Sequence, residues 1–295
     1  MLFYLLEIKM KLKGFKKFQE KLPALSGKRM IILPLYAITI LTALIFILHY
    51  FYTIPSKLVS TISAFFPIIG VILIEIFGVI MADLMWFLRD KMKAKFKSGA
   101  YQRMLFIGFW GIESLIFLAF TSFFPLKSID PQIWDNFPFS LWVTSFTDLI
   151  GGNWIVLDIF RWIIGILLLI TGIFTVFRAL FTFGIDYMAV VYVYFPEESE
   201  VQNHEIYSII RNPTYAGLIY ICLGGFVFYF SLFNLLYFII YFVGFNIHLH
   251  FVEEKELMMR FGESYINYQK KVPELFARPK NWMKFYSFLF GKKTS

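Results

Sequence analysis

The chain has 295 residues, of which 59% are hydrophobic and only 16% are charged. Its apolar residues occur in blocks of about twenty, the length that an α-helix needs to cross the hydrocarbon core of a bilayer. This composition excludes a soluble globular domain. Because lipid requires each span to satisfy its own backbone hydrogen bonds, the blocks indicate helices. The sequence therefore predicts an all-α, polytopic membrane bundle.

The formal net charge is +8 at pH 7. The basic residues lie in segments that flank the apolar blocks, as expected of loops that face an anionic cytoplasmic leaflet. Membrane lipids are therefore the expected partners, and nucleic acid is not. The single cysteine, Cys222, excludes an internal disulfide and a multi-cysteine metal site. We expect no metal cofactor.

The chain begins with a segment, residues 1–29, in which apolar residues such as Phe15 and Leu22 recur at helical spacing with lysines between them. This pattern predicts a basic amphipathic helix on the membrane surface. Three apolar blocks follow, at about residues 31–52, 62–88 and 104–124. We predict that residues 30–153 form an N-terminal part with three spans.

A fourth block, about residues 159–177, ends at Arg178. Two further blocks, 218–230 and 232–252, are divided only by Ser231 and predict a tight helical hairpin. We assign these spans, and a helix along the cytoplasmic face after them, to a second membrane domain at residues 154–283, followed by a basic tail at 284–295. About six crossings place both termini in the cytoplasm, and the charges of the connecting segments agree with that orientation.

The hairpin predicts that two polar motifs meet at one face of the membrane. The first is Arg-Asn-Pro-Thr-Tyr-Ala-Gly at residues 211–217, and the second begins with Glu253 and Glu254. Pro213 excludes Asn212 from helical geometry, so the fifth span is expected to start there. Gly217 permits the close approach of a ligand or of a neighbouring helix.

These motifs carry a family resemblance. R-N-P-x-Y-x-G at 211–217, with Tyr207 four residues earlier, is followed after the hairpin by E-E-x-x-L-x-x-x-F-G-x-x-Y-x-x-Y-x-x-x-V-P at 253–273. The combination, over about residues 155–280, resembles the integral-membrane methyltransferases related to isoprenylcysteine carboxyl methyltransferase. It implies that S-adenosylmethionine binds at the cytoplasmic face and that a lipophilic acceptor enters through the bilayer. The expected cofactor-binding residues are His204, Tyr207, Arg211, Asn212, Pro213, Tyr215, Gly217, Glu253, Glu254 and Leu257.

The chemistry of these side chains agrees with that cofactor. Arg211 can hold a carboxylate through two parallel hydrogen bonds, and a glutamate can accept from an amine or from ribose hydroxyls. Tyrosine faces attract a sulfonium ion. Methyl transfer is an in-line displacement, so the protein mainly positions the two reactants and excludes water.

The residues expected to act on the acceptor lie in three places. We expect Arg211, Glu254 and His250 to be catalytic, since His250 lies one helical turn before Glu254. Many relatives have an arginine near here that is thought to orient the acceptor carboxylate, whereas this chain has histidines. Ionisable groups deep in a span are functional candidates, although Glu75 and Glu113 can equally form a structural pair. The expected acceptor-binding residues are Arg178, His248, His250, Glu75 and Glu113.

The sequence also departs from its relatives. Their loop often has glycine two residues before the tyrosine, where this chain has Glu205, and the G-x-G element of phospholipid-amine methyltransferases is absent. The acceptor therefore stays open between a prenylcysteine-like carboxylate and another lipid-borne acid, thiol or amine. Two alternatives are an NADPH-dependent membrane reductase of the sterol-reductase type and a non-catalytic membrane scaffold. Thr214 and Tyr265 differ from the reductase pattern and favour the methyltransferase.

Overall fold

The computed structural model describes residues 13–23, 26–49, 66–124, 139–188 and 192–290. Within these ranges the regular elements are helices, so the predicted all-α class is confirmed. The helices are α1 (Phe15–Lys21), α2 (Ile32–His49), α3 (Phe66–Phe96), α4 (Ala100–Thr121), α5 (Phe139–Val143), α6 (Phe146–Ile150), α7 (Ile155–Phe183), α8 (Tyr192–Tyr194), α9 (Pro213–Tyr229), α10 (Leu232–His248), α11 (Glu254–Phe261), α12 (Glu263–Lys271) and α13 (Trp282–Leu289).

Five of the described helical stretches are long and apolar enough to cross a membrane, and a sixth apolar helix, α9, is shorter. All six coincide with the predicted blocks. The five are Gly27–Ile45, Pro67–Phe96, Ala100–Thr121, Ile155–Phe183 and Leu232–Phe261. Helix α3 continues past its predicted end near residue 88. Its last turns contain Lys, Met and Ala, which favour the helix, and the lysines lower the hydropathy there.

The helical hairpin is confirmed in α9 and α10. Pro213 occupies the first helical position of α9. At the other end of this helix, Phe230 adopts a left-handed conformation with φ of 51°, and the next residue, Ser231, caps α10 by accepting a hydrogen bond from the backbone N–H of Asn234. The hairpin turns within two residues, so the start of α9 and the end of α10 lie at the same end of the bundle.

Glycines set the closest helix crossings. A Cβ on Gly217 in α9 would lie 2.7 Å from the carbonyl oxygen of Gly172 in α7, and a Cβ on Gly111 in α4 would lie 2.6 Å from the backbone nitrogen of Ala82 in α3. Side chains at these positions would hold the helices apart, so small residues are required here, as at many contacts between membrane helices.

The N-terminal helix α1 packs against the bundle. Phe18 and Leu22 are buried in one apolar cluster with Met85 and Tyr101, while Lys17 stays exposed. Helix α1 therefore packs its apolar face against protein. Residues 1–12, 24 and 25 of the predicted segment lie outside the described residues.

Candidate active site

A cavity of about 220 Å³ lies beside the second half of α3, the start of α9 and the end of α10. One wall is apolar and comes from the two helices α3 and α4. The other is polar and aromatic and comes from the loop before α9, the end of α10 and the helices after it. The apolar wall includes Ala82, Met85, Ile112, Leu115 and Ile116. The polar wall includes Tyr192, Arg211, Asn212, Tyr215, His248, Glu253 and Tyr265.

The two predicted motifs meet at this end of the bundle. Arg211 donates from Nε to Glu254 Oε1 at 3.0 Å and from Nη2 to both carboxylate oxygens at 2.8 and 3.1 Å. The side chain of Asn212 donates to the same carboxylate at 3.3 Å. Both partners of this ion pair are nearly buried, with side chains 9% and 7% exposed. The hairpin therefore brings Arg211, just before α9, and Glu254, after α10, together as a buried ion pair.

Arg211 is fully engaged by the protein. Its remaining terminal nitrogen, Nη1, donates to the carbonyls of Val272 at 2.6 Å and Gln269 at 3.2 Å. A guanidinium has five N–H groups, and these contacts account for all of them. The backbone N–H groups of Arg211 and Asn212 also donate to the carbonyls of Pro273 and Glu274. The two parallel hydrogen bonds expected for a cofactor carboxylate are thus made to Glu254.

Glu253, not Glu254, faces the cavity. It accepts a hydrogen bond of 2.6 Å from the hydroxyl of Tyr215 and one of 3.0 Å from that of Tyr192. Nε2 of His248 lies 3.7 Å from Oε2 of Glu253, the oxygen that accepts from Tyr215. Glu254 is 5% exposed and does not line the cavity, because Arg211, Asn212 and Gln269 all donate to it.

A π-helical turn at Leu249–Glu253 explains why Glu253, and not Glu254, lines the cavity. The sequence prediction used regular α-helical spacing, which pairs His250 with Glu254. A π turn bonds residues five apart instead of four, so the faces of the helix shift across it. His248 and Glu253, five residues apart, then lie together, and His250 is exposed and outside the cavity lining.

The other predicted residues divide into two groups. Tyr207, Pro213 and Leu257 line the cavity. Gly217 does not, because it packs against Gly172 of the neighbouring helix. His204 is exposed, and Arg178 donates from Nε to the carbonyl of Leu289, where it ties α7 to the C-terminal helix.

The two deep glutamates are not hydrogen-bonded to each other. Glu113 is partly exposed and does not line the cavity. Glu75 is only 3% exposed, and both of its carboxylate oxygens lack a hydrogen-bond partner among the described residues. It lies against Gly244 of α10, where a Cβ would come within 2.1 Å of Oε1. The structure therefore does not bring Glu75 and Glu113 together as a pair.

Among the polar residues that sequence reasoning missed, two contact predicted ones. Asp83 in α3 accepts from Nδ1 of His248 at 2.6 Å, and Tyr192 binds Glu253. Asp83 was detectable, since a carboxylate inside a predicted span is itself a signal. Tyr192 was not, because nothing in the local sequence indicates that it reaches α10.

Electrostatics keep Tyr192 a hydrogen-bond donor. Burial, together with the negative charge of Glu253, raises the pKa of the Tyr192 phenol well above its usual value. Burial also raises the pKa of Tyr207, another residue of the cavity wall. Both phenols are therefore neutral at physiological pH and can present a hydroxyl or a ring face to a ligand.

Comparison with known proteins gives one match. Residues 160–264 match the family model described as phospholipid methyltransferase, a stretch that contains most of α7, the Arg211 loop, the hairpin and both glutamates. No curated protein and no solved structure matches the chain. The resemblance in the motifs is thereby confirmed: residues 160–264, less than half of the chain, are similar to the phospholipid methyltransferase family, integral membrane methyltransferases related to the isoprenylcysteine carboxyl methyltransferases.

Proposed function

We propose that this protein is a membrane methyltransferase that takes its methyl group from S-adenosylmethionine and transfers it to an acceptor carried by a lipid. The observation that carries the proposal is the two-sided cavity. Its polar wall comes from the segment that matches the methyltransferase family and from Tyr265 directly after it, and its apolar wall comes from the helices that precede that segment. A polar donor and a lipophilic acceptor need such adjacent environments.

The polar wall suits the donor. Glu253 offers a carboxylate to the donor's amine or ribose hydroxyls, and the rings of Tyr207 and Tyr265 offer faces to its sulfonium. Arg211 takes part through Nη1, because a carboxylate is a stronger acceptor than the two backbone carbonyls that Nη1 now contacts. Arg211 and Glu254 stay together as the pair that holds the loop in place.

The apolar wall suits the acceptor. It belongs to the proposed N-terminal part, residues 30–153, and completes a site whose polar half belongs to residues 154–283. The site lies at the end of the bundle where α3 and α4 are joined by a lysine-rich segment. Since basic segments face the cytoplasm, we place the active site and both termini on the cytoplasmic side of the membrane.

Titration calorimetry of the purified protein in lipid nanodiscs tests the donor. We expect heat from S-adenosylmethionine, no heat from NADPH, and an affinity for S-adenosylmethionine that falls at least tenfold in Glu253→Gln. Glu263→Gln is the matched control, because Glu263 is exposed at the start of α12. Heat from NADPH alone would make the protein a reductase, and heat from neither would make it a scaffold.

Mass spectrometry tests the acceptor. Membranes that contain the protein are incubated with S-adenosylmethionine carrying a deuterated methyl group, and lipids that gain the label are identified. We expect labelled lipids with the wild-type protein and not with Glu253→Gln. If the protein binds S-adenosylmethionine tightly but no lipid gains the label, the acceptor is not a lipid.

A further inference from the structure

Residues 192–202, here called the strap, cover one side of the cavity. The strap begins with the single turn of α8 and leads towards the Arg211 loop. It belongs to neither of the two sequence motifs. Its cavity-lining residues are Tyr192, Val193, Glu200, Val201 and Gln202.

Three cationic side chains hold the strap by its backbone. Each carbonyl of α8 accepts a hydrogen bond from one of them. Arg260 Nη1 donates to Tyr192 at 2.9 Å, Arg89 Nη1 donates to Val193 at 3.1 Å, and Lys93 Nζ donates to Tyr194 at 2.8 Å. Arg89 and Lys93 lie one turn apart on α3, and Arg260 lies on α11. The strap is therefore held between two helices that are far apart in the sequence.

Glu256 joins the two arginines to each other. Its Oε1 accepts from Nη1 of Arg89 at 2.7 Å and from Nη2 of Arg260. The side chains of Arg89, Glu256 and Arg260 are 13%, 18% and 9% exposed, so water and salt screen these contacts little. Charge-assisted hydrogen bonds of this kind are stronger than neutral ones. Two of the three hydrogen bonds to α8 thus come from one connected network.

The side chain that this network positions is Tyr192. Its hydroxyl donates to Oε1 of Glu253, while Tyr215 donates to Oε2. The two phenols therefore hold the carboxylate in one orientation. A carboxylate has about four acceptor sites, so each oxygen keeps a further site for a ligand in the cavity. If Tyr192 moves, the carboxylate loses its fixed orientation, and a ligand must order it at a cost in affinity.

We propose that Arg89, Glu256 and Arg260 act as positioning residues, which hold Tyr192 against Glu253 and thereby set the affinity for the methyl donor. The inference rests on the proposed function, in which Glu253 binds S-adenosylmethionine. Arg89 precedes the segment that matches the methyltransferase family, whereas Glu256 and Arg260 lie inside it. Helix α3 therefore supports the polar wall of the cavity as well as forming part of the apolar wall.

Titration calorimetry of Arg89→Ala in lipid nanodiscs tests this role. The substitution leaves the carbonyl of Val193 without its donor and Glu256 with one arginine. We expect the affinity for S-adenosylmethionine to fall about tenfold, because the donor must then order the carboxylate itself. Lys91→Ala is the matched control, since it removes an exposed positive charge from the same helix, and its affinity should stay within twofold of wild type. Wild-type affinity in Arg89→Ala would overturn the inference.

A double-mutant cycle separates positioning from a general loss of structure. Tyr192→Phe removes only the hydroxyl that contacts Glu253, and we expect the same loss of about tenfold. Since Arg89 acts through that hydroxyl, adding Arg89→Ala to Tyr192→Phe should weaken binding no further. Independent effects would multiply to about a hundredfold, which would contradict the inference.

Glu256→Gln is the second variant, should Arg89→Ala fail to fold. Glutamine keeps the shape of the side chain but loses the charge that joins the arginines. We expect the same loss of affinity, and again no further loss when Tyr192→Phe is added. If the wild-type protein binds S-adenosylmethionine and Tyr192→Phe binds it equally well, the inference fails and the proposed function stands. If the wild-type protein does not bind S-adenosylmethionine, both fail.

Discussion

Arg211 donates all five of its N–H groups to protein acceptors, and this decides what its loss does. Arg211→Ala leaves Glu254 buried with no cation beside it, and breaking a buried ion pair on one side costs about 3–5 kcal/mol. We expect a loss of stability of that size, measured by titrating the protein in mixed micelles with dodecyl sulfate.

The control for this prediction is Arg278→Ala, which removes an exposed arginine. We expect it to change stability by less than about 0.5 kcal/mol. An equal loss of stability in Arg211→Ala and Arg278→Ala would mean that the Arg211–Glu254 pair does not hold the loop in place.

Glu205 has φ of 48°, in the left-handed region that glycine adopts without strain. This explains why relatives often have glycine at the position. Both Glu205→Gly and Glu205→Ala lose the hydrogen bond from Thr182, so the two variants differ mainly in this backbone conformation. We expect the glycine variant to be more stable by about 1 kcal/mol in the same titration. An alanine variant as stable as the glycine one would be inconsistent with the left-handed conformation.

At the scale of the element, Gly217 sets the distance between α7 and α9. A methyl group there would lie 2.7 Å from a backbone oxygen of Gly172, which cannot move aside as a side chain can. We expect Gly217→Ala to lower stability by about 1–3 kcal/mol, the usual cost of overpacking.

Gly99→Ala is the matched control for Gly217→Ala, because a Cβ on Gly99 meets open space. It is expected to be neutral or slightly stabilising, and melting of both variants is followed by circular dichroism. A neutral Gly217→Ala would mean that the two helices are not in close contact.

The spans and the hairpin were predictable, because hydropathy is the property that the bilayer selects. The meeting of Arg211 with Glu254 followed from the hairpin alone. The positions of Glu253 in the cavity wall and of His250 outside it did not follow, because a π turn is set by packing that no local pattern records. The same limit hid Tyr192, whose place depends on how the segment after α7 folds back.

The π turn at Leu249–Glu253 holds one residue more than a regular turn would. Deleting Phe251, which is exposed, should restore regular winding while both flanking helices keep their contacts. We expect this deletion to preserve folding and to change the distance between His248 and Glu253, so methylation falls at least tenfold. Deletion of Met283, which is exposed in α13, is the control for the effect of removing one residue from a helix. Full activity after the loss of Phe251 would remove the π turn from the mechanism.

At the scale of the whole molecule, the orientation in the membrane is testable because Cys222 is the single cysteine and is buried. Cysteines placed at the exposed positions Lys95 and Asn153 would be the accessible thiols. In inside-out vesicles, we expect an impermeant maleimide to label Lys95→Cys and to spare Asn153→Cys. In right-side-out vesicles, the pattern should reverse. Labelling of both sites from one side would refute the proposed topology.

The apolar wall of the cavity comes from helices that the family match does not include. Separate stretches of the polypeptide would thus bind the two parts of a lipid acceptor. The loop and hairpin would bind its headgroup, and α3 and α4 would bind its hydrocarbon tail. Two lipids with one headgroup and unequal chain lengths would then be distinguished by residues far from the transferred carbon. A change of tail preference during evolution would require no change in how the donor is held.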